Sequence, residues 1–205
     1  MLTLLDYLDN DEGWLKARKV HVVGLSTGAI IGGVLRGRYE NFKSEHKILK
    51  SISIIASCGA LGMEKALGYD FDAAQLAAFD ADGACDKEFW VPENESLFDP
   101  TTHDLIDIKK ERYRKTSFPL GCGYRDDFLS LDVATHLAHG TTPLLIIHGE
   151  EDKSIPIEEG RAVAACASEP MEFVAIPKGN HLLSSDKPMK AALRKIREWV
   201  TKHAE

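Results

Sequence analysis

Four short segments of the chain are apolar along most of their length, and segments with a helical pattern lie between and after them. The apolar segments are KVHVVGL, ILKSISIIAS, TTPLLIIHG and MEFVAIP. Strands of this kind that alternate with helices indicate a parallel sheet covered on both faces. The sequence therefore predicts an α/β fold, with the segments STGAIIGGVLRGRYENF and KPMKAALRKIREWVTKH among the helices that pack on the sheet.

Residues 62–127 interrupt this alternation, because they are rich in acidic and aromatic residues and poor in long apolar runs. A stretch of this length is unusual as a structureless loop within a compact domain. We therefore expect a core formed by residues 1–61 and 128–205, with residues 62–127 inserted between two strands as a cap. The alternative is a surface excursion without a fold of its own.

Charge, hydropathy and cysteine spacing disfavour several classes of protein. The net charge of −7 disfavours a nucleic-acid partner, which usually requires a basic patch. No apolar run reaches about 18 residues, so no membrane span is predicted. The four cysteines show no C-x-x-C spacing, which favours reduced thiols and a cytoplasmic location, with Cys58 and Cys166 as small core residues. The first residues predict an amphipathic helix over Leu2–Leu8 rather than a secretory signal.

The junction of the first apolar strand and the first helix carries the motif GLSTG, residues 24–28. A strand, then G-x-S-x-G, then a helix is the arrangement called a nucleophile elbow. The sharp turn strains the backbone of Ser26, so small neighbours are expected at Gly24 and Gly28. The turn lifts the serine hydroxyl above the carboxyl edge of the sheet, beside the positive end of the helix. The alternative is a glycine-bearing turn with a capping serine.

Two further residues follow the ends of the last two predicted strands. Asp152 comes after TTPLLIIHG, and His181 comes after MEFVAIP. The carboxyl ends of parallel strands meet at one edge of a sheet, so Ser26, Asp152 and His181 can converge there. A neutral imidazole could take the serine proton, and a carboxylate could orient that imidazole. Taken singly, Asp152 could be a turn residue and His181 a surface residue.

Three further histidines indicate no second site. His136 and His139 lie three residues apart, but no third ligand is near them in the sequence, so no metal site is predicted. His148 is expected to be structural, because it ends a buried strand.

The motifs VVGLSTGA, PLLIIHGEEDKSIP and IPKGNHLL resemble those of the α/β-hydrolases, most closely the esterase and serine-aminopeptidase-like group. The resemblance implies that Ser26 is the nucleophile, Asp152 the acid and His181 the base. It implies that the backbone N–H of Thr27 is one donor of the oxyanion hole. It also implies a small-molecule ester as substrate and no cofactor.

The chain departs from that family at its start, where only one predicted helix precedes the elbow. We expect that the family's N-terminal strands are missing, that the second oxyanion-hole donor cannot be identified, and that the segment Val20–Val23 leaves an unpaired edge that invites self-association. The predicted function is a serine hydrolase, a carboxylesterase-like enzyme that cleaves carboxylic esters, with amides and thioesters left open. The alternatives are a non-catalytic hydrolase-like binding protein and an acyltransferase that uses the same serine.

Overall fold

A computed structural model of the chain describes residues 19–42, 44, 51–92 and 113–203. The predicted helix at Leu2–Leu8 lies outside them. The strands are β1 (Lys19–Leu25), β2 (Ser51–Ser57), β3 (Ala84–Pro92), β4 (Tyr113–Gly121), β5 (Leu144–Gly149) and β6 (Met171–Ile176). The helices are α1 (Thr27–Phe42), α2 (Met63–Asp70), α3 (Ala73–Ala81), α4 (Cys122–Leu129), α5 (Val133–His139), α6 (Ile157–Cys166) and α7 (Asp186–Lys202).

The chain divides into two compact units, one formed by Met1–Asp70 with Leu129–Glu205 and the other by Phe71–Phe128. Helix α2 belongs to the first unit, so the second unit begins nine residues later than the expected insertion. A cap function for residues 62–127 stays a prediction.

The first unit contains a four-stranded sheet in the order β1-β2-β5-β6, and each neighbouring pair is parallel. Successive side chains of a strand point to opposite faces. Ile55 of β2 and Ile147 of β5 pack in one core cluster with Ala192 and Trp199 of α7. Ile146, the neighbour of Ile147, instead lines a small apolar cavity with residues of α1, α5 and α6. The prediction of a parallel sheet with helices on both faces is therefore confirmed.

A buried arginine fixes helix α1, which follows the elbow. The side chain of Arg36 is completely buried. Its guanidinium donates to three backbone carbonyls, those of Thr142 (2.8 Å), Leu137 (2.7 Å) and Ser168 (2.6 Å). Buried charged groups are costly unless hydrogen bonds satisfy them, and here all three guanidinium nitrogens have acceptors. Arg36 thus ties α1 to the end of α5 and to the loops that flank β5 and β6.

The second unit has its own small sheet and core. Strands β3 and β4 form an antiparallel pair, from Ala84 opposite Gly121 to Pro92 opposite Tyr113. Phe71 and Phe79 are buried and meet edge to face, with ring centroids 5.4 Å apart. Asp72 and Gln75 form a reciprocal capping box at the start of α3, which satisfies backbone donors at that helix end.

The four cysteines are free thiols. Cys58 is buried, as expected, but Cys166 is only partly buried, so the expectation of a core position is wrong for Cys166. Cys166 is the last residue of α6, and its thiol lies 3.4 Å from the carbonyl oxygen of Ala134. No helix within the described ranges is long and apolar enough to cross a membrane.

Candidate active site

Ser26 occupies a one-residue turn between β1 and α1. Strand β1 ends at Leu25 and helix α1 begins at Thr27. The φ angle of Ser26 is +57°, a left-handed conformation that is uncommon for residues other than glycine. Its N–H donates to Ser57 O (2.9 Å) and its carbonyl accepts from Ala29 N (2.9 Å). The end of β2 and the first turn of α1 therefore hold the strained conformation in place.

The two glycines of the elbow meet different surroundings. A Cβ atom at Gly24 would lie 2.1 Å from the carbonyl oxygen of Gly28, a distance that no real contact allows. At Gly28 no described atom lies within 4 Å of such a Cβ. Crowding among the described residues therefore requires glycine only at position 24.

Asp152 lies in the loop after β5, and its side chain is buried. The Oδ1 atom accepts hydrogen bonds from the backbone N–H groups of Ser154 and Ile155, both at 2.9 Å. The Oδ2 atom accepts from Nδ1 of His181 at 2.8 Å. The structure thus brings together the two residues that follow the ends of β5 and β6.

These hydrogen bonds determine the charge of Asp152. Burial alone would raise the pKa of this carboxyl group, because it penalises the charged form. The hydrogen bond from the Ile155 amide, the contact with His181 and the hydrogen bond from the Ser154 amide outweigh burial, so the pKa of Asp152 is lowered. Asp152 is therefore a carboxylate at neutral pH.

Close backbone contact between two loops places His181 beside Asp152. A Cβ atom at Gly149 would lie 2.3 Å from the carbonyl oxygen of Gly179. That same carbonyl accepts a hydrogen bond from Glu151 N at 2.8 Å. The loop after β6 can rest on the end of β5 only because Gly149 has no side chain. Gly149 ends the predicted strand TTPLLIIHG and Gly179 comes two residues after MEFVAIP, but no local pattern in the sequence shows that the two glycines meet.

The hydrogen bond to Asp152 decides which nitrogen of His181 can act as a base. A carboxylate only accepts, so Nδ1 carries the proton, and the neutral imidazole presents a lone pair at Nε2. The His181 side chain is 19% exposed, whereas Asp152 is buried. The pair therefore offers an accessible base backed by a buried carboxylate.

Ser26 also follows the carboxyl end of a strand, but its strand β1 lies on the opposite side of the sheet from β6, the strand that precedes His181. Strands β1 and β6 are three positions apart, which corresponds to about 14 Å between strand axes. The loops must close this separation. Among the described residues, no hydrogen bond joins the Ser26 hydroxyl to His181.

Thr27 is the first residue of α1. The first N–H groups of a helix have no acceptor within it and carry its positive partial charge. The N–H of Thr27 is thus a suitable donor to a developing oxyanion next to Ser26. Among the described residues, no second donor of the oxyanion hole can be identified.

Cys58, His148 and Asp152 form a buried group whose potential ligand atoms lie within 4.8 Å of one another. These donors do not suit a metal ion as they stand. Burial is the main cause that raises the pKa of Cys58, and the charge of Asp152 adds to it, so the thiol keeps its proton. The Nε2 of His148 donates to Ile155 O at 2.9 Å. Cys58 directly follows β2, at the end of the strands where Ser26 and Asp152 also lie.

The first unit is thus a parallel α/β core that carries Asp152 and His181 after neighbouring strands and Ser26 in a tight strand-to-helix turn. Residues 2–194 match the sequence model of the alpha/beta hydrolase family. The chain belongs to this family. No protein with a curated description matches the chain in sequence.

Solved structures show the same fold at low sequence identity. Est1E from Butyrivibrio proteoclasticus is 18% identical with a TM-score of 0.60, and the match covers 98% of this chain and 66% of Est1E. A structure of the metagenome-derived lipolytic enzymes LipS and LipT is also 18% identical, with a TM-score of 0.57 and coverage of 98% and 71%. An esterase domain from Rhodothermus marinus is 16% identical, with a TM-score of 0.51 and coverage of 89% and 60%. The chain thus spans less than two thirds of Est1E and of the Rhodothermus domain.

Proposed function

We propose that this chain is a serine hydrolase that cleaves carboxylic esters through an acyl-serine intermediate. The observation that carries the proposal is the 2.8 Å hydrogen bond from His181 Nδ1 to the buried carboxylate of Asp152. It leaves Nε2 of His181 free to accept a proton at the edge of the sheet where Ser26 forms the elbow.

The chemistry uses only side chains and backbone of the chain. Ser26 Oγ attacks the ester carbonyl carbon while its proton moves to Nε2 of His181. The negative charge that develops on the carbonyl oxygen is stabilised by the N–H of Thr27. The imidazolium then gives its proton to the departing alcohol, and water repeats the sequence on the acyl-serine. Asp152 stabilises the imidazolium throughout. Esters are favoured over amides and thioesters because the Rhodothermus domain is described as an esterase domain and LipS and LipT as lipolytic enzymes.

A fluorophosphonate probe tests the nucleophile, because it phosphonylates activated serines. We expect labelling of the wild type and none of Ser26→Ala. Ser117→Ala, which removes an exposed serine of β4, is the matched control and should be labelled like the wild type. Equal labelling of Ser26→Ala, or an unlabelled wild type with an intact fold, would contradict the proposal.

Turnover of p-nitrophenyl esters with short and long acyl chains tests the role of Asp152. We expect Asp152→Asn to lower kcat by up to about 10⁴-fold, because an amide in this position favours the wrong imidazole tautomer. Glu151→Gln changes the neighbouring exposed carboxylate and should keep wild-type turnover. Near-normal turnover by Asp152→Asn would mean that the acid lies elsewhere.

A further inference from the structure

A second histidine lies beneath the acid of the candidate site. His148 is the next-to-last residue of β5 and is completely buried. Its Nε2 lies 2.9 Å from the carbonyl oxygen of Ile155 and 3.4 Å from Oδ2 of Asp152. A carbonyl oxygen can only accept, so Nε2 of His148 carries a proton. The same N–H therefore lies next to the carboxylate oxygen that His181 uses.

The peptide of Ile155 connects His148 to the other oxygen of Asp152. The carbonyl of Ile155 accepts from His148, and the N–H of Ile155 donates to Oδ1 of Asp152 at 2.9 Å. Both carboxylate oxygens of Asp152 are therefore in contact with groups that His148 helps to position. Oδ2 lies next to His148 Nε2, and Oδ1 accepts from the peptide of Ile155, whose carbonyl accepts from His148.

Helix α6 holds the ring of His148 from the other side. A Cβ atom at Gly160 would lie 2.4 Å from Nδ1 of His148, so the ring occupies the space that a side chain would take. Nδ1 is buried and has no hydrogen-bond partner among the described residues. A proton on Nδ1 would therefore have no acceptor there, which favours the tautomer with the proton on Nε2.

We infer that His148 is a positioning residue for Asp152, because its Nε2–H group closes the 152–155 loop and fixes the direction in which Oδ2 faces His181. This inference rests on the proposed function. A shift of about 1 Å in a catalytic group can cost about 100-fold in rate. Holding the carboxylate of Asp152 in place therefore keeps the imidazole of His181 in the orientation that the reaction needs.

The test compares His148→Leu, which removes the donor, with His148→Gln, whose amide nitrogen can reach the position of Nε2. Each change is made in the wild type and in Asp152→Asn, and the rate of fluorophosphonate labelling is measured. We expect His148→Leu to slow labelling by about 10- to 100-fold in the wild type and by less than about 3-fold in Asp152→Asn, because coupled residues are not additive. His148→Gln should restore most of the rate. Equal losses in both backgrounds, or no loss in the wild type, would overturn the inference.

A spectroscopic readout decides the same question without turnover. The proton shared by His181 Nδ1 and Asp152 should give a low-field proton resonance in the wild type. We expect His148→Leu to abolish or shift it and His148→Gln to restore it. An unchanged resonance in His148→Leu, or none in the wild type, would refute the positioning role. Failure to label Ser26 would refute the proposed function alone, since the resonance does not depend on the serine.

Discussion

At the scale of single residues, Asp152 affects both the stability of the fold and the geometry of the candidate site. It is a buried carboxylate with two backbone donors, one imidazole donor and a second imidazole nearby. Its hydrogen-bond donors offset the cost of burying the charge, and removing them would leave the buried carboxylate uncompensated. The stability of the fold and the orientation of the candidate base therefore depend on the same side chain.

The lowered pKa of Asp152 predicts how stability changes with pH. A carboxyl group whose pKa is lower in the folded state stabilises the fold above its unfolded pKa of about 3.9, and this contribution is lost as the pH falls through the folded pKa. The free energy of unfolding of Asp152→Asn should therefore fall less steeply with acidification than that of the wild type. Urea unfolding between about pH 6 and pH 2 measures this.

Asp186→Asn provides the comparison, because Asp186 is exposed and pairs only with Lys190 among the described residues. Its profile should run parallel to that of the wild type. A profile of Asp152→Asn that is also parallel would contradict the prediction.

At the scale of elements, the four strands of the first unit and its helices α1 and α7 were predictable, whereas helix α2 and the hairpin of the second unit were not. The strand β5 is buried at every position, so its apolar run is visible in the sequence. Strand β4 is mostly exposed and has no apolar alternation, so nothing in its sequence marks it as a strand. The elbow could be recognised because its motif is local. The contacts of Cys58 and His148 with Asp152 could not, because they depend on how separate strand ends meet.

Helix α1 should depend strongly on its buried arginine. Arg36→Met keeps the length of the side chain but removes the donor to three carbonyls. The Leu137 carbonyl still accepts from Ser168 N, so the carbonyls of Thr142 and Ser168 lose their donor. Each unsatisfied buried acceptor costs about 1–3 kcal/mol, so we expect the free energy of unfolding to fall by about 2 kcal/mol or more. Denaturant unfolding measures this fall.

Arg38→Met is the matched control for Arg36→Met. Arg38 is exposed on the same helix, and its substitution should change the free energy of unfolding by less than about 0.5 kcal/mol. Equal effects of the two substitutions would contradict the role assigned to Arg36.

At the scale of the whole molecule, strand β1 is the edge of the first unit's sheet among the described strands. Val23 of this strand is 59% exposed, and Leu25 and Ile31 are also exposed. An apolar strand edge invites pairing with another chain. We therefore propose that copies of this chain associate through β1.

Sedimentation velocity over a range of concentrations tests this proposal. The wild type should form dimers or larger species, and Val23→Lys should shift the population towards monomer, because a lysine at a strand edge opposes pairing. Leu193→Lys introduces the same charge at an exposed leucine of α7 and should leave association unchanged. A wild type that stays monomeric, or an equal effect of both lysines, would contradict the proposal.

The positions of the three candidate residues along the chain affect the order in which the site can assemble. Asp152 and His181 are 29 residues apart, whereas Ser26 is more than four times as far from Asp152. Closing the longer loop costs about 1 kcal/mol more in chain entropy. A partly folded chain is therefore expected to form the contact of Asp152 with His181 more readily than the approach of Ser26 to these two residues.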